Sequence, residues 1–224
     1  MSVIKLFHGS QVVVEKPLFG YGKTYNDYGQ GFYCTEHIEL AKKWACPINN
    51  NGFVNEYELD TDGLKILDLS NGYNVLNWIA ILLENRLVKL STPLQKSAKT
   101  YLIDNFLPDY KDYDVIVGYR ADDSYFLFAR SLISNQISLS QLEKAIKLGK
   151  LGNQICLKSK KAFSRIKFVK SIKVDSSIYY RLKKEREDTA RKEFLHELEN
   201  DDIHGIFIRD IIKENIKNGD SRIR

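Results

Sequence analysis

The chain has 224 residues, of which 43% are hydrophobic and three are cysteines (Cys34, Cys46 and Cys156). That length and composition suit one domain, or one domain with an appendage, and exclude bulk disorder; scattered thiols without metal-ligand spacing exclude a disulfide framework and point to a reducing, cytoplasmic setting. The net charge of +5 is modest for this length, and no apolar run reaches the roughly 18 residues that a membrane helix needs.

The opening string MSVIKLFHGS is too short and too polar for a signal peptide, and residues 3–7 read as a first strand. A loop rich in Gly, Tyr and Asn follows over residues 19–31. Residues 36–45 predict a helix, with Thr35 as N-cap, Glu36 in the first turn and Pro47 ending the segment; Ile38, Ala41, Trp44 and Ala45 share one face. Strand patterns return over 53–59 and 64–68, separated by a Thr-Asp-Gly turn. Residues 74–89 and 94–106 predict helices, and 113–119, rich in β-branched and aromatic residues, predict a buried strand. Ser140 and Glu143 have capping-box spacing for a short helix that Gly149 closes. Residues 154–158 and 165–174 predict two more strands.

From about Ile178 the composition becomes strongly charged and helix-favouring, with a break at 201–205 and a second helix ending at Gly219. The expectation is an α+β domain over 1–175 and a helical C-terminal extension over 176–224. That extension either packs on the core or offers a docking surface to a partner protein. Charge is also unevenly placed. Residues 156–173 carry Lys158, Lys160, Lys161, Arg165, Lys167, Lys170 and Lys173 and no acid, more positive charge than the whole chain's net +5. This is either a solvated strand face or a patch that attracts the phosphates of a dinucleotide or a nucleic acid.

Three strings have chemical potential. His8-Gly9-Ser10 directly follows a strand, which sets the histidine at a sheet edge; Gly9 lets a ligand approach the backbone. A lone histidine serves more often as a structural hydrogen-bonder than as a catalytic group. Asp27-Tyr28-Gly29-Gln30-Gly31-Phe32-Tyr33-Cys34-Thr35 makes a permissive loop with two aromatic residues before a helix, either a packed turn or a clamp for a flat ring. It matches neither the dinucleotide fingerprint of a Rossmann unit nor the Gly-Lys-Ser/Thr of a phosphate-binding loop. Asn153-Gln154 opens an apolar strand after a glycine-containing loop, as turn residues or as a strand edge facing a cleft.

Together the strings resemble the ADP-ribosyltransferase superfamily, in its diphtheria-toxin and poly(ADP-ribose)-polymerase branch, whose signature is His, Tyr and Glu on three separated strands. The likeness is closer still to a bacterial family of transferase-like domains of unknown function that share HGS and a DFGxGFYxT string before a Trp-Ala helix; here Tyr28 replaces the usual Phe. The resemblance covers roughly residues 3–173. It implies a split β-sheet core around an NAD cleft and a mono-ADP-ribosyltransferase that uses NAD as substrate and no metal. His8 would bond the 2′-hydroxyl of the adenosine ribose, and the Gly9 backbone would grip the nicotinamide carboxamide with Ser10 nearby. Tyr33 would stack on nicotinamide, with Tyr28 or Phe32 as a supporting aromatic at the cofactor. Gln154 stands where the polymerases carry their catalytic Glu, so the site keeps a hydrogen bond and loses a charge, which disfavours chain elongation. Asp122 and Asp123, either a helix cap or a compensating acid, are the acid/base candidates.

Bacterial relatives look like toxins or defence proteins, each paired with a small neutralising partner. The resemblance therefore implies a toxin-like role and a protein or nucleic-acid acceptor. Three alternatives remain: a degenerate module that binds NAD or ADP-ribose without chemistry, an interaction protein in which the strings are core and turns, and a nucleic-acid binder acting through the Lys-rich stretch.

Overall fold

The computed structural model describes residues 2–121, 123–148, 152–200 and 202–223, the side chains of 123–125 excepted. It is a mixed α+β fold with two sheets. The first sheet is antiparallel in the order β1-β3-β7, from β1 (Val3–Ser10), β3 (Gly52–Asp60) and β7 (Ile166–Val174). The second runs β2-β6-β5-β4, from β2 (Phe32–Cys34), β6 (Asn153–Leu157), β5 (Val115–Tyr119) and β4 (Ile66–Asp68). Only its β4–β5 pair is parallel among the described strands.

The sheets meet where the edge of β1 reaches the end of β2. Phe7 N–H donates to the Thr35 carbonyl (2.7 Å) and Thr35 N–H donates to the Phe7 carbonyl (2.9 Å), an antiparallel bridge between the two sheets. This engagement changes the start of the next helix. Thr35 does not cap it; its hydroxyl accepts from His37 N–H and donates to the Asn153 carbonyl, and α1 (Ile38–Ala45) begins three residues later behind His37.

Helices fill the far side of the second sheet. In α2 (Val75–Asn85) every residue from Val75 to Leu83 is buried, and Asn74 closes a reciprocal capping box with Asn77. Inside that apolar surround the Asn77 amide also donates to the Phe106 carbonyl (2.7 Å), which meets the requirement that a buried polar group be bonded. The helix stops short of the expected residue 89 because Arg86 turns extended, with φ −84° and ψ 146°. The helix α3 (Pro93–Phe106) starts behind Thr92, which pairs with Gln95 in another capping box, with Pro93 at the first turn. Next come α4 (Asp123–Ile133) and α5 (Leu139–Ala145). The box that opens α5 lies two residues before the expected one: Ser138 and Gln141 satisfy it, while the Ser140 hydroxyl donates to Asp202 (2.5 Å). Gly149 lies outside the described residues. A short helix without an evident sequence signal, α6 (Lys160–Arg165), separates β6 from β7.

The C-terminal segment is helical: α7 (Ser176–Glu199) and α8 (Ile208–Lys213), then a 3-10 turn at Ser221–Ile223. The end of α8 comes before Gly219 because Asn215 takes a left-handed φ of 52°. Phe194, Ile208, Ile211, Ile216 and Ile223 are buried in the same apolar cluster as α2, α3 and α4. Among the described residues no helix is long and apolar enough to cross a membrane. The Phe194 ring lies 4.1 Å from that of Phe128. Truncating it leaves a large cavity in the main core, so Phe194→Ala should cost about 3–5 kcal/mol in urea unfolding; a loss near zero would show that α7 contributes nothing to that core.

Candidate functional site

Beyond the Phe7–Thr35 bridge the edges of β1 and β2 diverge, and a cleft of about 690 Å³ opens between the sheets. Its size lies within the range of small-molecule sites. His8 stands at its base. The contact of Nδ1 with the Tyr33 carbonyl oxygen (2.7 Å) requires Nδ1 to carry the proton, because a carbonyl only accepts. The other ring nitrogen, Nε2, is then an acceptor. Burial pushes the imidazole pKa down against the raising effect of that hydrogen bond, so His8 is a neutral group held in one tautomer. Its ring packs on Phe32 at 4.5 Å.

Gly9 is required for a reason the sequence did not reveal. A Cβ there would run into the Ala41 carbonyl and approach Ala45 N to 2.7 Å, so α1 crosses directly over β1. Its backbone still faces the cleft wall. Phe7 turns its N–H and C=O away from β3 toward Thr35, and by strand alternation Gly9, two residues on, turns its own the same way, where β2 has moved off. Ser10 is anchored: its hydroxyl donates to the Val12 carbonyl and accepts from Asn55 (3.1 Å). Asn55, fully buried on β3, also accepts from Val14 N–H (3.1 Å), and the Tyr57 hydroxyl donates to the Val14 carbonyl. These two β3 side chains hold residues 10–14 in place as one wall of the cleft.

The loop before β2 is closed by Tyr33. Its hydroxyl donates to the Gly29 carbonyl (2.6 Å) and accepts from Tyr28 N–H (3.0 Å), while Gly29 takes the left-handed φ of 75° that such a tight return needs. Burial raises the Tyr33 pKa strongly, so the phenol stays neutral. The Tyr28 ring lies parallel behind that of Tyr33, with centroids 6.5 Å apart. Tyr28 is 0% exposed, bonded through its hydroxyl to the Tyr119 carbonyl (2.6 Å), and not part of the wall. Full burial keeps Tyr28 off the cleft wall and behind Tyr33. Phe32 and Tyr33 do line the cleft.

Gln154 reaches the cleft from β6, only 4% exposed. Its Nε2 donates to Asp27 Oδ2 (2.7 Å) and to the Tyr119 carbonyl (3.2 Å). Asp27, 7% exposed, also accepts from Ala121 N–H at Oδ2 (2.9 Å) and from Arg86 Nη1 at Oδ1 (2.8 Å). Arg86 additionally donates to the Ala121 carbonyl and packs on the Phe126 ring. This network joins the 27–33 loop, α2, β5 and β6.

The outer rim is formed by Trp44 of α1 with the Arg120 guanidinium 4.3 Å over its ring, and by Lys183 and Glu187 of α7. Pro17, Leu18 and Tyr21 add apolar surface to the cleft. None of the basic residues between 156 and 173 belongs to the described wall. Four of the seven are engaged elsewhere: Lys158 on the Tyr28 carbonyl, Lys161 on the Gly63 carbonyl, Arg165 on Asp60 (3.0 Å) and Lys170 on Glu56 (3.6 Å). The cations at the wall are Arg86, Arg120 and Lys183.

Of the residues singled out in the sequence, His8, Gly9, Ser10, Phe32, Tyr33 and Gln154 line one cleft although they come from three distant strings. Of the candidate acids, Asp122 and the side chain of Asp123 lie outside what the structure describes; the Asp123 backbone opens α4. The acid that does stand beside Gln154 is Asp27, the first residue of the quoted aromatic string and one to which no role had been attached. Arg86, Arg120, Lys183 and Glu187 carried no local signal. Among the described residues no group of three or more His, Cys, Asp or Glu is arranged to hold a metal ion.

A family model described as "Protein of unknown function (DUF3990)" matches residues 4–168. The chain belongs to this family. The match ends inside β7 and leaves out α7, which supplies Lys183 and Glu187 to the rim of the cleft. No curated protein and no solved structure matches the chain.

The lowered pKa of His8 gives a stability signature. Because the folded value lies below 6.5, the unfolded chain binds the proton first as pH falls. The stabilising effect of neutral His8 is complete above pH 6.5 and is lost as pH drops from there to the folded value. Urea midpoints across about pH 5 to 8 should therefore fall more steeply for the wild type than for His8→Gln below pH 6.5. Parallel curves would show that His8 is not held neutral.

Proposed function

We propose that the chain is an NAD-dependent mono-ADP-ribosyltransferase, built as an ADP-ribosyltransferase-like split sheet with NAD in the cleft between β1 and β2. The observation that carries the reading is the convergence of HGS, GQGFY and NQ on that one cleft. Each resident group has the polarity the reaction needs. Neutral His8 offers Nε2 to a ribose hydroxyl of NAD. Gly9 presents an unladdered N–H and C=O, the complement of a primary carboxamide. Tyr33, backed by Tyr28, provides a flat face for nicotinamide. Gln154 accepts a hydrogen bond from the hydroxyl next to the reacting anomeric carbon.

The chemistry is displacement at that carbon. The bond to the nicotinamide nitrogen breaks with its electron pair leaving on nicotinamide, positive charge builds on the ribose, and a nucleophile of the acceptor forms the new bond and releases its proton. The protein holds the reacting atoms in register and surrounds the developing charge with fixed dipoles. The acceptor is a protein or a nucleic acid, and the toxin or defence role with a small neutralising partner belongs to this same proposal.

A second reading is a catalytically degenerate module that binds NAD or ADP-ribose, favoured by the neutral amide of Gln154 where a carboxylate would strengthen the transition state. Nicotinamide release by the purified protein, with and without cell lysate, separates the two. The transferase reading expects release that falls about 100-fold in His8→Ala and in Tyr33→Ala, as loss of positioning does, with label passing into lysate protein or nucleic acid. An NAD-dependent rise in melting temperature without any release would leave the binding module; neither binding nor release would end both.

A further inference from the structure

Resting on the NAD reading, we infer that Asp27 is the positioning residue of this site: it fixes Gln154 as a hydrogen-bond acceptor toward the ribose and supplies the negative charge that Gln154 lacks. The orientation follows from chemistry. An amide oxygen and nitrogen have similar shape, and only their partners tell them apart. Here the atom of Gln154 that meets Asp27 Oδ2 (2.7 Å) and the Tyr119 carbonyl (3.2 Å) faces two oxygens that accept. It must be the NH2 group, and those two contacts use both of its protons. Oε1 is what Gln154 has left for a ligand in the cleft, and it can only accept. A glutamine without Asp27 would be free to turn its NH2 group inward, where a ribose hydroxyl would meet a donor instead.

The charge argument adds to this. Asp27 is buried behind Gln154 with its two oxygens divided: Oδ1 takes Arg86, and Oδ2 takes Gln154 and Ala121 N–H. With those donors in place the carboxylate has no role as a base. Its effect on the ribose passes through the amide, whose N–H bond to a carboxylate is charge-assisted and draws electron density toward Oε1. A carboxylate one residue removed thus does part of what a glutamate at 154 would do directly.

Exchange of the two groups gives the test. Gln154→Glu alone sets a second carboxylate at hydrogen-bonding distance from Asp27, and two acids so close cannot both stay ionised without cost. It should lower kcat for nicotinamide release at least about 10-fold rather than raise it. Asp27→Asn alone should lower kcat similarly with KM for NAD nearly unchanged, since His8, Gly9 and Tyr33 still bind. The double variant Asp27→Asn/Gln154→Glu restores a donor facing a carboxylate and should exceed both single variants. Single losses that simply multiply in the double variant, or a Gln154→Glu enzyme faster than wild type, would overturn the inference. Nuclear magnetic resonance of the unmutated protein tests it without turnover: the Gln154 side-chain amide protons should exchange slowly with solvent, and fast exchange would overturn it. If the wild type neither binds nor cleaves NAD, the NAD reading itself has failed and the role of Asp27 in it falls too; slow exchange would then remain only as a structural fact.

Discussion

The first sheet ends on the edge of β1 and the second on the edge of β2, and the two edges are tied where Phe7 and Thr35 exchange both backbone hydrogen bonds. Everything at the site depends on that tie and on its reinforcement by His8, whose Nδ1–H reaches the carbonyl of Tyr33. The bridge sets how far the sheets stand apart, and the histidine fixes the depth at which Tyr33 sits. Because the bridge occurs at Phe7, the next backbone edge facing the same side is that of Gly9, and β2 has already diverged there. A cleft at this point is a consequence of two sheets joined at a corner rather than along a ladder. The absence of a side chain at Gly9 lets α1 lie directly over the joint and brings Trp44 to the rim.

Burial makes the polar part of the site expensive, and the structure meets the cost by completing its bonds. Asp27, Gln154 and Asn55 are nearly or wholly buried; the Asp27 carboxylate and the Asn55 amide are bonded to neighbours from other elements, and Gln154 gives both amide protons to Asp27 and Tyr119. A buried carboxylate with a guanidinium, an amide and a backbone N–H is tolerable; the same carboxylate with one of these removed leaves a costly unpaired group. Such networks have low tolerance for rotation, and that is what makes them suited to holding a cleft in one shape. The aromatic part is fixed in the same manner. Tyr33 is held at its hydroxyl by residues 28 and 29 and backed by the Tyr28 ring, so its position is set before any ligand arrives.

Much of the fold was legible because it is set locally. The helical reading of 94–106 meets α3, and the β-branched run near Val115 marks a strand, whatever the rest of the chain does. The failures have causes that are distant in the chain. Thr35 has the right residue type for a helix cap, but the bridge to Phe7 takes its backbone and Asn153 takes its hydroxyl. Ser140 has the right spacing, but Ser138 has it too, and Asp202 engages the Ser140 hydroxyl. The wall residues on β1, β2 and β6 were readable from their strings. Asp27 was in view without a role, since its meaning depends on Gln154, 127 residues away. Arg86 and the α7 residues at the rim depend on how whole helices pack, which no short string records.

The most direct test is a crystal structure of the protein with a non-cleavable NAD analogue. The proposed activity requires the nicotinamide ring on Tyr33, its carboxamide on the Gly9 backbone, and Gln154 Oε1 at the hydroxyl beside the anomeric carbon. An analogue bound outside the cleft, or bound within it with adenine on Tyr33 and nicotinamide in solvent, would contradict it.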